Sequence, residues 1–252
     1  MASENIYVIG DTQIKKGVRN SLIVVAFDII NSLPLPDKVV HLGDHFDFPS
    51  LSLYDKGKIS FNSRRYIDDI DAGNKAFAEF WSIIEIGRTD NPKWHCEFIF
   101  LNGNHEHRRD KAIANGPTEM DGLLDLHQPD FTGWNKVLPF LKPYVFKGIA
   151  FVHYLANEFS GRAISTASAG IKARGMSFVA GHKQVLDYAE QGSVDGRRVM
   201  GLIMGACYYH DEEYKGPQSN HHFRGTAYLR NCYKGQWEME IRNLKTLDKK
   251  YL

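Results

Sequence analysis

Ile6-Tyr7-Val8-Ile9-Gly10-Asp11-Thr12-Gln13 is the stretch on which the fold turns: four apolar residues, enough for a buried strand, run straight into Gly-Asp at a loop. The same punctuation returns twice. Lys38-Val39-Val40-His41-Leu42 ends in Gly43-Asp44-His45-Phe46-Asp47, and Glu97-Phe98-Ile99-Phe100-Leu101 ends in Asn102-Gly103-Asn104-His105-Glu106. Between the first two strands Val18, Leu22, Val25, Ile29 and Leu33 recur at helical spacing until Pro34 and Pro36 forbid continuation, which predicts a helix over 17–33. Ile70, Phe77, Trp81 and Ile84 mark one face of a second helix over 64–86. Strand, loop and helix in repeated order predict an α/β layered sheet.

The second half changes character. Tyr144-Val145-Phe146 and Ile149-Ala150-Phe151-Val152 flank Lys147-Gly148 as the arms of a hairpin would, and 237–241 alternates after Lys234-Gly235. A helix is predicted over 162–174, and a strand over 177–180 that stops at Gly181-His182. The polar, aperiodic stretch 49–63 reads as a surface loop or lid. With no internal repeat, low-complexity tract or linker, one domain is expected over 1–252.

At 252 residues, 43% hydrophobic and 24% charged, the composition is that of an ordinary globular protein. Lys and Arg number 31 against 30 Asp and Glu, so net charge gives no argument for a polyanionic partner, and affinity for nucleic acid would need a local patch. Cys96, Cys207 and Cys232 are odd in number and form no CxxC pair, which argues against a disulfide framework or thiolate metal site and for a reducing cytoplasm. The apolar run Leu22–Ile30 is interrupted by Asp28 and lacks a basic leader, so neither a signal peptide nor a membrane span is expected. No membrane association and no obligate protein partner is anticipated.

Five strand ends carry metal-binding or acid/base residue types: Asp11 with Gln13, Asp44 with Asp47, Asn104 with His105, His153, and His182 with Gln184. Open sheets assemble sites at strand ends, where loops converge on a rigid frame. Hard divalent cations need oxygen donors, and imidazole adds nitrogen donors suited to manganese, iron or zinc.

On these residues the chain resembles the calcineurin-like metallophosphoesterases. Their pattern is Gly-Asp-x-His, Gly-Asp-x-x-Asp, Gly-Asn-His-Glu or Asp, a lone His, then Gly-His-x-His. Here it stands, in order, as Gly10-Asp11-Thr12-Gln13, Gly43-Asp44-His45-Phe46-Asp47, Gly103-Asn104-His105-Glu106, His153 and Gly181-His182-Lys183-Gln184. The resemblance implies a four-layer α/β/β/α sandwich of two mixed β-sheets flanked by helices. It implies two divalent metal ions bridged by Asp44, the first also held by Asp11, Gln13 and Gln184, the second by Asn104, His153 and His182. A hydroxide between the ions would attack phosphorus in line, His105 would protonate the leaving oxygen, and Asp47 would orient His105. Region 68–73 and the short turn from Asp44 to Phe48 also resemble phage-encoded members, for which the location would be the host cytoplasm.

Gln13 and Gln184 depart from the family's usual histidines. An amide oxygen is harder than an imidazole nitrogen, so manganese is the expected metal, with magnesium, iron or zinc as alternatives and a weaker first site. Lys15, Lys16, Arg19, Arg108, Arg109 and Lys183 lie in or beside the motifs and would give a positive rim suited to a phosphodiester, or else are solvated helix ends. Tyr54, Phe61 and Tyr66 would stack bases or pack the lid. His45 and His107 flank the motifs and could supply a further ligand, but like His127, His210, His221 and His222 they are expected to be solvated loop residues. The expected activity is hydrolysis of a phosphodiester, DNA, RNA or a nucleotide. The alternatives are a phosphomonoesterase or protein phosphatase, and a catalytically silent scaffold, against which the presence of both Asp47 and His105 argues.

Overall fold

The computed structural model describes residues 3–53, 57, 59–118, 122–194, 196–212 and 216–252. Strands β1 (Glu4–Ile9), β2 (Lys38–His41), β3 (Glu97–Leu101) and β4 (Lys136–Leu138) lie parallel and side by side. Two long antiparallel strands, β10 (Gly225–Tyr233) and β11 (Gln236–Asn243), complete this sheet in the order β11-β10-β1-β2-β3-β4. The other sheet runs β5-β6-β7-β9-β8, from β5 (Tyr144–Phe146), β6 (Ile149–Val152), β7 (Ser177–Ala180), β8 (Leu186–Gly192) and β9 (Arg198–Met204). Here β6, β7 and β9 are parallel, and β5 and β8 antiparallel, so both sheets are mixed.

The central strands are apolar without interruption because both of their faces are buried. In β1, Ile6 and Val8 face the other sheet, where they join Val40, Leu42, Phe151, Val179 and Leu202. Tyr7 and Ile9 face outward against helices α1 (Leu22–Ile30), α2 (Tyr66–Asp90) and α6 (Leu244–Tyr251), which contribute Val25, Ile29, Phe77, Phe80, Leu244 and Leu247. On the far side α4 (Ala167–Arg174) lays Ala167 and Ile171 on Ala150, Val152, Phe178 and Ala180. Three apolar interfaces separate four layers, α/β/β/α. Helices α3 (Glu106–Asn115) and the short α5 (Gly216–Ser219) lie in loops.

The Lys147-Gly148 hairpin forms as expected, with Tyr144 opposite Phe151. Helix α1 is shorter than its apolar spacing, since Gly17 has φ +84° and Asn20 turns its Oδ1 onto the Leu22 amide at 2.9 Å. The predicted helix over 162–174 begins only at Ala167, because the Thr166 hydroxyl caps the Ala169 amide at 3.2 Å. The residues before it form a small hairpin bridged at Ala156 and Ala163, with the Asn157 side chain accepting from the amides of Phe159 and Ser160. The expected lid contains two single turns, Pro49–Leu51 and Ile59–Phe61, and Tyr54 lies outside the described residues. Among the described residues no helix is long and apolar enough to cross a membrane.

Candidate metal centre

Parallel β1, β2 and β3 all finish at one edge of their sheet, and β6 and β7 bring the other sheet to the same edge. Backbone bonds lock the emerging loops together. Thr12 and Gln13 both donate to the Asp44 carbonyl at 3.1 and 2.8 Å, and Asp11 donates to that of Gly205 at 3.1 Å. Gly181 donates to the His153 carbonyl at 2.9 Å, and the His182 amide donates to Asp11 Oδ1 at 3.1 Å. Gln13, Asp44 and His182 all adopt positive φ, at 42°, 51° and 63°, a conformation costly enough in side-chain-bearing residues to persist only where the surroundings impose it. Gly103 is required by contact: a Cβ there would sit 2.1 Å from Asp44 Oδ1.

Asp44, His153 and His182 each present one ligand atom, all within 4.8 Å of one another. His153 Nδ1 donates to the Leu42 carbonyl at 2.8 Å, which aims Nε2 at Asp44 Oδ2, 3.4 Å away, and at Asn104 Oδ1, 2.9 Å away. Burial works against a charge on His153, yet Asp44's charge and hydrogen bond outweigh it and hold the ring up to about 9. His182 goes the other way, to about 4, through burial and the charge of His153. A pocket that traps a proton between a carboxylate, an imidazole and an amide oxygen is one where a cation can displace that proton. On the loops tied to it, Asp11 Oδ2, Gln13 Oε1 and Gln184 Oε1 are buried without a hydrogen-bond partner. Burial and the charge of Asp44 push Asp11 well above the usual carboxylate range, outweighing the opposing charge of His153 and the His182 amide. Asp44, His153 and His182 together offer the mixed oxygen and nitrogen donors that could hold a metal ion.

His105 stands next to this group. Its Nδ1 lies 2.9 Å from Asp47 Oδ1 and 2.8 Å from the Asp47 carbonyl, and its backbone amide donates to Asp44 Oδ1 at 2.8 Å. Arg108 donates to His105 Nε2 at 2.9 Å and to the Asp47 carbonyl at 2.8 Å. Guanidinium can only donate, so neutral His105 carries its hydrogen on Nδ1, and a proton arriving at Nε2 must displace Arg108. Burial opposes the charged ring, but Asp44 and Asp47 prevail over burial and Arg108, and the pKa rises. Burial also resists ionisation of Asp47, but His105 and Lys15 hold its carboxyl well below the usual range.

Sequence reading missed two supports. The buried Glu106 carboxylate accepts four backbone amides, those of Gly103, Asp44, His45 and Phe46, at 2.7–2.9 Å, and so ties the second motif loop to the third. Its place as the last residue of Gly-Asn-His-Glu was the available signal. His45, expected to be solvated, is fully buried and stacked on Phe77 at 3.7 Å. His41 Nδ1 accepts from Gly43, so its Nε2–H donates to Thr12 Oγ1 at 3.2 Å; Thr12 donates on to His45 Nδ1 at 2.8 Å, and His45 Nε2 donates to the Gly73 carbonyl at 3.0 Å. Burial keeps both rings neutral, pulling His45 down to about 3.

His107 and His210 are also part-buried, the first against Phe140 and Asp110, the second 3.1 Å from Glu212. His222 is half-buried; His127 and His221 are exposed as expected. Of the basic rim, Lys15 pairs with Asp47 at 2.9 Å and Arg108 touches His105. Lys16 pairs outward with Asp68, Arg109 with Asp125 and the Tyr66 hydroxyl, and Arg19 with Asp248. Tyr66 stacks on buried Phe48 at 5.9 Å, a packing role. Lys183 borders a small hollow with Tyr154, Leu155 and Ile164.

No protein-family model and no curated protein matches the chain. Among the solved structures that match is a crystal structure that aligns with 96% of this chain and 99% of its own, at 9% identity and a TM-score of 0.35, a likeness too low to carry an argument.

Proposed function

We propose that the chain is a calcineurin-like metallophosphoesterase that hydrolyses a phosphodiester, nucleic acid or nucleotide, in a reducing cytoplasm. The observation that carries this reading is the set of three orphaned, buried oxygens on Asp11, Gln13 and Gln184, on loops that abut the Asp44, His153 and His182 cluster. Leaving such groups unsatisfied costs roughly 1–3 kcal/mol each unless a ligand completes them. Asp44 would be shared by two cations, with Asp11, Gln13 and Gln184 on one side and Asn104, His153 and His182 on the other. Divalent cations held there supply Lewis-acid polarisation of phosphoryl oxygens and a water of lowered pKa. His105 holds a proton for the leaving oxygen at Nε2, and Asp47 fixes its orientation through Nδ1. Arg108, displaced from Nε2 as that nitrogen protonates, is free to meet a phosphate oxygen.

The test is metal content and hydrolysis of bis-p-nitrophenyl phosphate by the stripped protein with manganese, magnesium or zinc added in turn. Manganese-dependent turnover, with the monoester p-nitrophenyl phosphate the poorer substrate, is expected. Absence of cation binding defeats the reading. Tight stoichiometric zinc at both positions would overturn the manganese preference that the two glutamines support.

A further inference from the structure

A row of half-buried rings borders the proposed metal ligands. His107 and Phe140 stack with centroids 4.8 Å apart and 21° between their planes, and Tyr154 meets Phe140 edge-on at 5.6 Å. Tyr154 lies 4.8 Å from His182 and 5.7 Å from His153, while Phe140 lies 6.2 Å from His153. The four ring-bearing residues of the row come from four separate segments: the first turn of α3, the turn after β4, and the loops that follow β6 and β7. His107, Phe140, Tyr154 and His182 are all intermediate in exposure.

Phe140 and Tyr154 belong to none of the three apolar cores, neither as buried members nor as side chains packed against them. Large aromatic side chains usually stabilise by burial in such a core. These two instead cover the flank of the histidines that would hold the second cation. Cationic groups lie nearby: Lys183 lines a small hollow together with Tyr154, and Arg108 reaches His105 on the proposed metal site. Aromatic faces next to cationic groups are how proteins hold a base and its phosphate together without reading sequence.

We infer that Phe140 and Tyr154 form a stacking ledge for a nucleobase next to the scissile phosphate, so that the substrate is a nucleotide diester rather than a small alkyl or sugar ester. The inference rests on the function proposed above and extends it to the group beside the phosphate. Two probes test it by calorimetry on the full chain with manganese: a dinucleotide methylenephosphonate, in which carbon replaces the scissile bridging oxygen so that the bond cannot be hydrolysed, and the same compound with the base on one side removed. The wild type should bind the base-bearing probe roughly 10-fold more tightly. In a Phe140→Ala, Tyr154→Leu double variant the difference should shrink to within about 2-fold, and Phe140→Tyr with Tyr154→Phe should restore it, because a ring of either kind offers a face. Equal affinity for both probes on the wild type, a preference that survives in the double variant, or failure to bind either probe overturns the ledge. The outcomes separate from the parent reading, since binding needs no turnover. Base-dependent binding without hydrolysis of any diester would leave the ledge and remove the enzyme; manganese-dependent hydrolysis indifferent to the base would do the reverse.

Discussion

His105 carries most of the proposed chemistry on one ring. Asp47 grips Nδ1, while Nε2 accepts from Arg108 and lies 3.7 Å from Asp44 Oδ2. Replacing His105 with Ala should lower kcat on a phosphodiester by roughly 10²–10⁴-fold, with manganese affinity measured by calorimetry nearly unchanged. An unaltered kcat would remove the general-acid role. At this scale the sequence was legible where a residue type has few uses: Asp11, Asp44, Asn104, His153 and His182 stood out by chemistry and position, and the structure gathers them. Glu106 and His45 were harder. A glutamate that satisfies four amides and a histidine stacked on a phenylalanine look, in sequence, like any charged or polar loop residues. Only their burial distinguishes them.

Among the elements, α2 carries an unusual group in its first turn. Asp69 is buried and accepts the Ser50 amide at 3.1 Å, and burial raises its pKa to about 6. The unfolded chain has an ordinary aspartate there, so between the two pKa values the native state binds the extra proton. The sign follows: the favourable contribution is complete below the unfolded pKa near 4 and is lost as pH rises through about 6. Asp69→Asn keeps an oxygen for Ser50 and cannot ionise. It should stabilise the protein by roughly 1–3 kcal/mol at pH 7.5 and by almost nothing at pH 4, read by urea unfolding at both values. Element boundaries were less legible than element types. Apolar spacing announced α1, but side-chain and backbone devices at Asn20, Thr166 and Gly17 set where helices begin. Strand β8 escaped because it alternates with mostly exposed residues at a sheet edge, a weak signal beside the continuous runs of β1 and β7.

For the whole molecule, the strand, loop and helix order of the first half was enough to give a layered α/β architecture, and the second sheet followed from family resemblance rather than from pattern. That second sheet matters energetically because cations at the proposed centre would bind only the folded chain. At a manganese concentration about 100 times its dissociation constant, linkage adds about 2.7 kcal/mol, which for a chain of this size should raise Tm by roughly 5–10 °C. A calorimetric scan with and without a chelator measures it, and identical melting curves would speak against binding.

Asp11, Asp44 and Asn104 come from one sheet, His153 and His182 from the other, and the apolar seam between the sheets is crossed at this end by a few hydrogen bonds, among them those from His153 to the Leu42 carbonyl and from Asp11 to the Gly205 carbonyl. Ions gripped from both sides would act there as rivets. Their loss would loosen the seam as well as silence the chemistry, so the amides at the ends of β6 and β7 should exchange with deuterium sooner than those of β1 once the rivets are drawn.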